Sequence, residues 1–108
     1  MATADHHSEY LSRAVAALTP AGRARADELL DELAREAGSH DQVVRFAAVR
    51  RTEVDTGRTE QAVPDELTRQ ELDILGTGFT TIRDGEPLDD VTDWANAVLA
   101  LLQDDAAR

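Results

Sequence analysis

Apolar residues recur along most of the chain at the three- and four-residue spacing that gathers them on one face of an α-helix. Leu11, Ala14, Val15 and Leu18 give a first short helix over about residues 8–18, with Ser8 as its N-cap. Thr19-Pro20 reads as an N-cap followed by proline at the first helical position. There the fixed φ and missing N–H of proline suit a helix start. Ala26, Leu29, Leu30, Leu33, Ala34 and Ala37 then form an unbroken apolar stripe. Arg23, Asp27, Glu28, Asp31, Glu32, Arg35 and Glu36 occupy the other face. Gly38 falls where the residue after a helix takes a positive φ. The pattern predicts a helix over 20–37.

A third helix is expected from Ser39, as its cap, to about Asp55, with Val43, Phe46, Ala47, Val49 and Val54 as its apolar positions and Gly57 as its end. Residues 57–64 are polar and close on Val63-Pro64, which reads as extended because a residue before proline avoids the α region. A fourth helix is expected to begin near Asp65, with Leu72, Leu75, Phe79 and Ile82 on one face. Gly76 and Gly78 each cost a helix about 1 kcal/mol relative to alanine, and Thr80-Thr81-Ile82 is β-branched, so a break or kink is expected at 76–78. Asp84-Gly85-Glu86-Pro87 reads as a turn. The last helix carries Val91, Trp94, Ala95, Val98, Leu99 and Leu102 as a core stripe, with Asp90 as N-cap. Residues 1–7 and 104–108 are expected to fray. The fold class is therefore all-α: four to five short amphipathic helices in a small irregular bundle, one domain over 1–108.

Composition narrows the functional classes. Of 108 residues, 45 are apolar, but 18 of these are alanine, which leaves a small core and little with which to wall a deep pocket. The absence of cysteine removes disulfides, thiolate nucleophiles and cysteine zinc sites. No apolar run approaches the length of a membrane span, and the first ten residues lack a signal-peptide pattern, so a cytoplasmic protein away from membranes is expected. The net charge is −11, which repels nucleic-acid phosphates at long range. It is uneven: residues 1–58 hold 10 acids and 8 arginines, whereas 59–108 hold 12 acids and 3 arginines.

No constellation of catalytic residues emerges. His6 and His7 are adjacent and so do not share a helix face, and no spacing joins them or His40 to further metal ligands. Ser39, His40 and Asp41 sit at a helix start, where Ser and Asp act as caps. Asp89-Asp90 and Asp104-Asp105 are read as solvated surface. Gly76-Thr77-Gly78 lacks the further glycine and lysine of a phosphate loop. The expectation is a non-enzymatic protein with no cofactor and no metal.

Two binding classes stay open. Ala34, Gly38 and Val44 have the relative spacing of a helix-turn-helix over residues 33–50. Its second helix would start near His40 and present Gln42, Arg45 and Arg50 to DNA, in a segment that is locally +1 over 39–58. The other class is protein binding, with the acidic half attracting a basic partner. A small-molecule site around Trp94 and Phe79 finds no polar residues to support it.

Residues 18–67 carry a resemblance. Leu18-Thr19-Pro20-Ala21-Gly22-Arg23, then Ala26, Leu29-Leu30 and Leu33, is one stretch. Arg50-Arg51-Thr52-Glu53-Val54-Asp55-Thr56-Gly57-Arg58, then Val63-Pro64 and Glu66, is the other. These resemble the small antitoxins of the addiction-module-component type, which wrap RelE/ParE-type toxins and cover their basic surface. The resemblance implies that Arg51, Val54, Val63 and Leu67 lie on a toxin-facing helix and tail. Two departures stand out: the family's tryptophan in the second helix is missing, with Phe46 the nearest aromatic, and the chain continues from Thr68 to Arg108. The function expected is that of an acidic protein-binding module, in the manner of an antitoxin that neutralises a small basic toxin; the alternative is a helix-turn-helix regulator.

Overall fold

The computed structural model describes residues 2–58 and 67–106, with side chains over 9–58 and 67–102. Five helices follow in order: α1 (Ala2–Ala16), α2 (Pro20–Ala37), α3 (Asp41–Thr56), α4 (Arg69–Gly85) and α5 (Asp89–Ala106). Among the described residues there is no strand, and the all-α bundle is as expected. α2 packs along α3, α4 along α5, and α1 lies against α5. The fold is thus two helical hairpins with a fifth helix braced on the second.

Local chemistry sets most helix ends. Thr19 is extended (φ −73°, ψ 165°), and its Oγ1 accepts the Gly22 N–H at 3.0 Å, so α2 starts as expected. Gly38 and Gly57 end α2 and α3 at φ +57° and +73°, where a side chain is strained. Gly57 N–H donates to the Glu53 carbonyl at 2.8 Å, which satisfies a carbonyl of the last turn.

Five expectations need correction. α1 begins at Ala2 rather than near Ser8. Ser39 does not cap α3; His40 stands at that position without a side-chain cap, and Asp41 in the first turn meets the positive helix end. α4 begins at Arg69, not Asp65, because Thr68 and Glu71 form a capping box: Thr68 Oγ1 accepts the Glu71 N–H at 3.1 Å, and a Glu71 carboxylate oxygen accepts the Thr68 N–H at 2.9 Å. α4 also runs unbroken through Gly76 and Gly78 as far as Gly85. Leu75, Phe79 and Ile82 are buried along it, and this packing outweighs the propensity cost of two glycines. A Cβ on Gly78 would lie 3.1 Å from Leu33 Cδ1, so here the missing side chain brings α4 close to α2. The expected turn at 84–87 shrinks accordingly to the link after Gly85.

The fifth correction concerns Asp90, which lies in the first turn of α5, after the helix has begun at Asp89, and reaches across to α2. Its Oδ2 accepts both the Thr19 N–H and the Thr19 Oγ1–H, each at 2.9 Å. A carboxylate thus rests on the positive N-terminus of α2, and the Thr19 N–H holds it below the usual carboxylate range. Gly22 faces this carboxylate so closely that a Cβ there would overlap it. The segment 59–66, with the extended Val63-Pro64 expectation, lies outside the described residues.

The core is an aromatic ladder with aliphatic flanks. Phe46 of α3, Phe79 of α4 and Trp94 of α5 are all at 0 % exposure. Phe46 and Phe79 meet edge to face at 6.1 Å, and Phe79 and Trp94 at 5.5 Å. Leu11, Val15 and Leu18 of the first segment, with Leu30 of α2, close the sides.

The Gly22–Asp90 contact predicts a change of sign. Alanine in place of a helix glycine ordinarily stabilises by about 1 kcal/mol. Gly22→Ala is expected to destabilise the parent by expelling the Asp90 carboxylate from Thr19, yet to stabilise an Asp90→Ala background. A double-mutant cycle by urea denaturation measures this, and additive effects would refute it.

Candidate partner-binding groove

α2 and α4 run antiparallel, and three contacts fix their register. At one end Arg25 Nε donates to a Glu86 carboxylate oxygen at 2.9 Å, and the Glu86 side chain is nearly covered. In the middle, Leu33 sits against Gly78. At the other end Glu71 of α4 lies near His40 and the Gln42 backbone, just past α2. The Thr68 backbone N–H is the main cause that holds the Glu71 carboxyl below the usual range, with smaller contributions from His40 and Gln42.

Between these contacts the two helices bound a groove of about 630 Å³. Leu29, Leu33 and Ile82 form its floor and half-buried Ile74 its side. Thr77, Gly78 and Thr81 make the α4 wall low, since none carries a long side chain. Glu32 and Glu36 rise from α2 and Asp73 from α4; all three are exposed. His40 and Gln70 lie at one end. No arginine lines it; Glu32, Glu36 and Asp73 carry negative charge along its walls, and His40 is its one basic side chain, at one end. Along α4 the lining runs from Gln70 to Ile82, about 18 Å at 1.5 Å per residue, just over three helical turns. The arrangement offers apolar contact below and attraction for cations at the rim.

The residues singled out from sequence do not converge here or on any single face. Arg51 is exposed and extends towards α2, with its Nε 3.9 Å from Asp27 and an Nη 4.0 Å from Asp31. Val54, three residues on, is at 0 % exposure in the core, so it cannot present itself to a toxin without unpacking. Leu67 is half-buried against the core, and Val63 lies outside the described residues. Of the DNA candidates, Arg45 is exposed and Gln42 half-buried. Arg50 is fully buried: its Nε lies 2.7 Å from Glu53, itself at 0 % exposure, and its guanidinium is 4.8 Å from the centre of the Phe46 ring. It is therefore a core residue, withdrawn from any DNA-facing surface. α3 also stays beside α2 far from their connection, since Arg51 reaches Asp27 and Asp31. Helix-turn-helix pairs diverge at about 90–120°. The geometry is an antiparallel hairpin.

Phe79 and Trp94 fill each other's space, which leaves the small-molecule reading no room at that place. Among the described residues no three His, Cys, Asp or Glu side chains converge as metal ligands, and no helix is long and apolar enough to cross a membrane. The side chains of His6 and His7 lie outside the described set.

Family models, curated proteins and solved structures were compared with the chain. None matches.

The groove residues escaped sequence reasoning. Glu32 and Glu36 read as ordinary polar positions, and Gly78 as a helix breaker. The available signal was the Glu32–Glu36 pair one turn apart beside the Leu29–Leu33 stripe.

A second acidic cluster lies between α2 and α3, where Asp27 faces Asp55. Burial first, then the hydrogen bond and charge of Asp55, push the Asp27 carboxyl above the usual range, and Arg51 opposes this. The fold therefore holds a proton on Asp27 more tightly than the unfolded chain does. That stability is present below the unfolded value of about 3.9 and is lost as pH rises through the folded one. Asp27→Asn, neutral at every pH, is expected to be more stable than the parent near pH 7, the gap closing by about pH 4. Urea melts at the two pH values check this; a variant less stable near pH 7 contradicts it.

Proposed function

We propose that this protein is a non-enzymatic interaction module that binds a basic protein partner through the α2–α4 groove. One observation carries the proposal: an apolar floor of Leu29, Leu33 and Ile82 is edged by Glu32, Glu36 and Asp73, with no arginine in the lining. Apolar contact gives such a site affinity, and the acidic rim gives it a fast approach and a choice of partner. The net charge of −11 extends the attraction beyond the rim. Neutralisation of a small basic toxin is the form of this function that the antitoxin resemblance of residues 18–67 suggests. In that case the groove, rather than Val54, is the surface that meets the toxin.

The test uses the full chain and a triple variant, Glu32→Lys with Glu36→Lys and Asp73→Lys. All three positions are exposed, so the fold is expected to persist, as circular dichroism would show. Both proteins are immobilised and exposed to lysate of the native host. A basic protein is expected on the parent and not on the variant. Purified and titrated by calorimetry, it is expected to bind at 1:1, with affinity that falls as salt rises and drops at least about tenfold, or 1.4 kcal/mol, in the variant. Equal binding to both proteins, or no basic protein retained by the parent, overturns the proposal.

A further inference from the structure

We infer that the groove takes one helical segment of its partner: a basic amphipathic helix of about three turns, laid along α2 and α4 as a third helix. This rests on the basic-partner reading and gives that partner a shape.

The spacing of the walls points to a helix. On α2 the groove positions are 29, 32, 33 and 36; on α4 they are 70, 73, 74, 77, 78, 81 and 82. Both sets recur every three or four residues, the interval at which one helix receives the side chains of another. Two antiparallel helices thus present a seam that a third can complete.

Backbone chemistry excludes the extended alternative. The groove walls are helices whose N–H and C=O groups are already bonded within each helix. A strand in this groove would find no sheet edge to pair with, and would bring its own unpaired N–H and C=O groups against leucine and isoleucine. A helix arrives with those groups satisfied and needs only side-chain contacts. Its apolar residues, at i, i+3 or i+4, and i+7, would meet Leu29, Leu33, Ile74 and Ile82. Arginine or lysine on its flanks would face Glu32 and Glu36 on one side and Asp73 on the other. The low wall at Thr77, Gly78 and Thr81 leaves the breadth such a helix needs.

The probe is a synthetic peptide of about fourteen residues, four turns with its ends capped, with leucines at helical spacing and arginines beside them. A second peptide has the same composition with leucine and arginine alternating, the order that favours a strand. Each is titrated at low salt into the isotopically labelled full chain while backbone amide resonances are followed. The first peptide is expected to shift amides of residues 29–40 and 70–82 and to gain helical circular dichroism on binding. Thr77→Phe, which fills the groove from an exposed position, is expected to weaken it at least about tenfold with the melting temperature unchanged. Equal binding of the alternating peptide without helix gain overturns the helical occupant. Shifts outside the groove, no shift with the first peptide, or indifference to Thr77→Phe overturn it as well. The basic-partner reading stands or falls separately on the lysate capture and its charge-reversed variant, so the two failures are distinguishable.

Discussion

The ladder of Phe46, Phe79 and Trp94 holds the two hairpins at their spacing. Each hairpin zips along its own length, α2 on α3 and α4 on α5, but the hairpins meet each other at few places. Phe79 of the second hairpin meets Phe46 of the first on one side and Trp94 of its own hairpin on the other, so the Phe46–Phe79 pair is the rung that crosses. Edge-to-face pairs add about 0.5–1.5 kcal/mol each beyond the area they bury, and they prefer one arrangement over sliding alternatives. The ladder works with the Leu33–Gly78 approach to set how far α2 stands from α4. The groove is the space left on the outer side of that spacing.

Charge does two opposite jobs in the molecule. Inside, Arg50 and Glu53 lie at 0 % exposure within 2.7 Å of each other, with the guanidinium beside Phe46. Ions taken out of water need such partners, and here the partner lies one turn away on the same helix, so α3 carries its own counter-charge into the core. Outside, acids stand along the groove with no arginine in its lining. At the seam between hairpins, the Asp90 carboxylate occupies the N-terminus of α2, a position that favours an anion. The −11 charge is therefore not uniform surface decoration, since some carboxylates fasten helices together while others face outwards at a concave site.

Much of the helical layout was legible in the residues. Thr19-Pro20, Gly38 and Gly57 mark ends for local reasons, and the stripes through Leu29–Leu33 and Val91–Leu102 need only helical periodicity. The capping box was legible too, as Thr68 three residues before Glu71, but Val63-Pro64 drew the expected start too early. The unbroken course of α4 was not legible. Glycine propensity describes an isolated helix, and at Gly78 the close approach of Leu33 turns the missing side chain into a fit. Asp90 looked like a local cap because a sequence displays only near neighbours, whereas its partner Thr19 is 71 positions away. The groove fails the same test more severely. Glu36 and Asp73 share a rim only once α2 and α4 are antiparallel in one particular register, and Arg50 leaves the surface only once α3 has turned that residue inward.

The aromatic ladder has an optical consequence. Trp94 is the chain's single tryptophan, and it ends the ladder at 0 % exposure, against Phe79 and outside the groove lining. Its ultraviolet emission therefore reports whether the core between α4 and α5 stays closed. A ligand that settles into the groove without disturbing that core leaves the emission unchanged, and a ligand that opens the core to water shifts it towards the red. The molecule carries its own indicator of whether it receives a partner as a rigid cradle or by yielding.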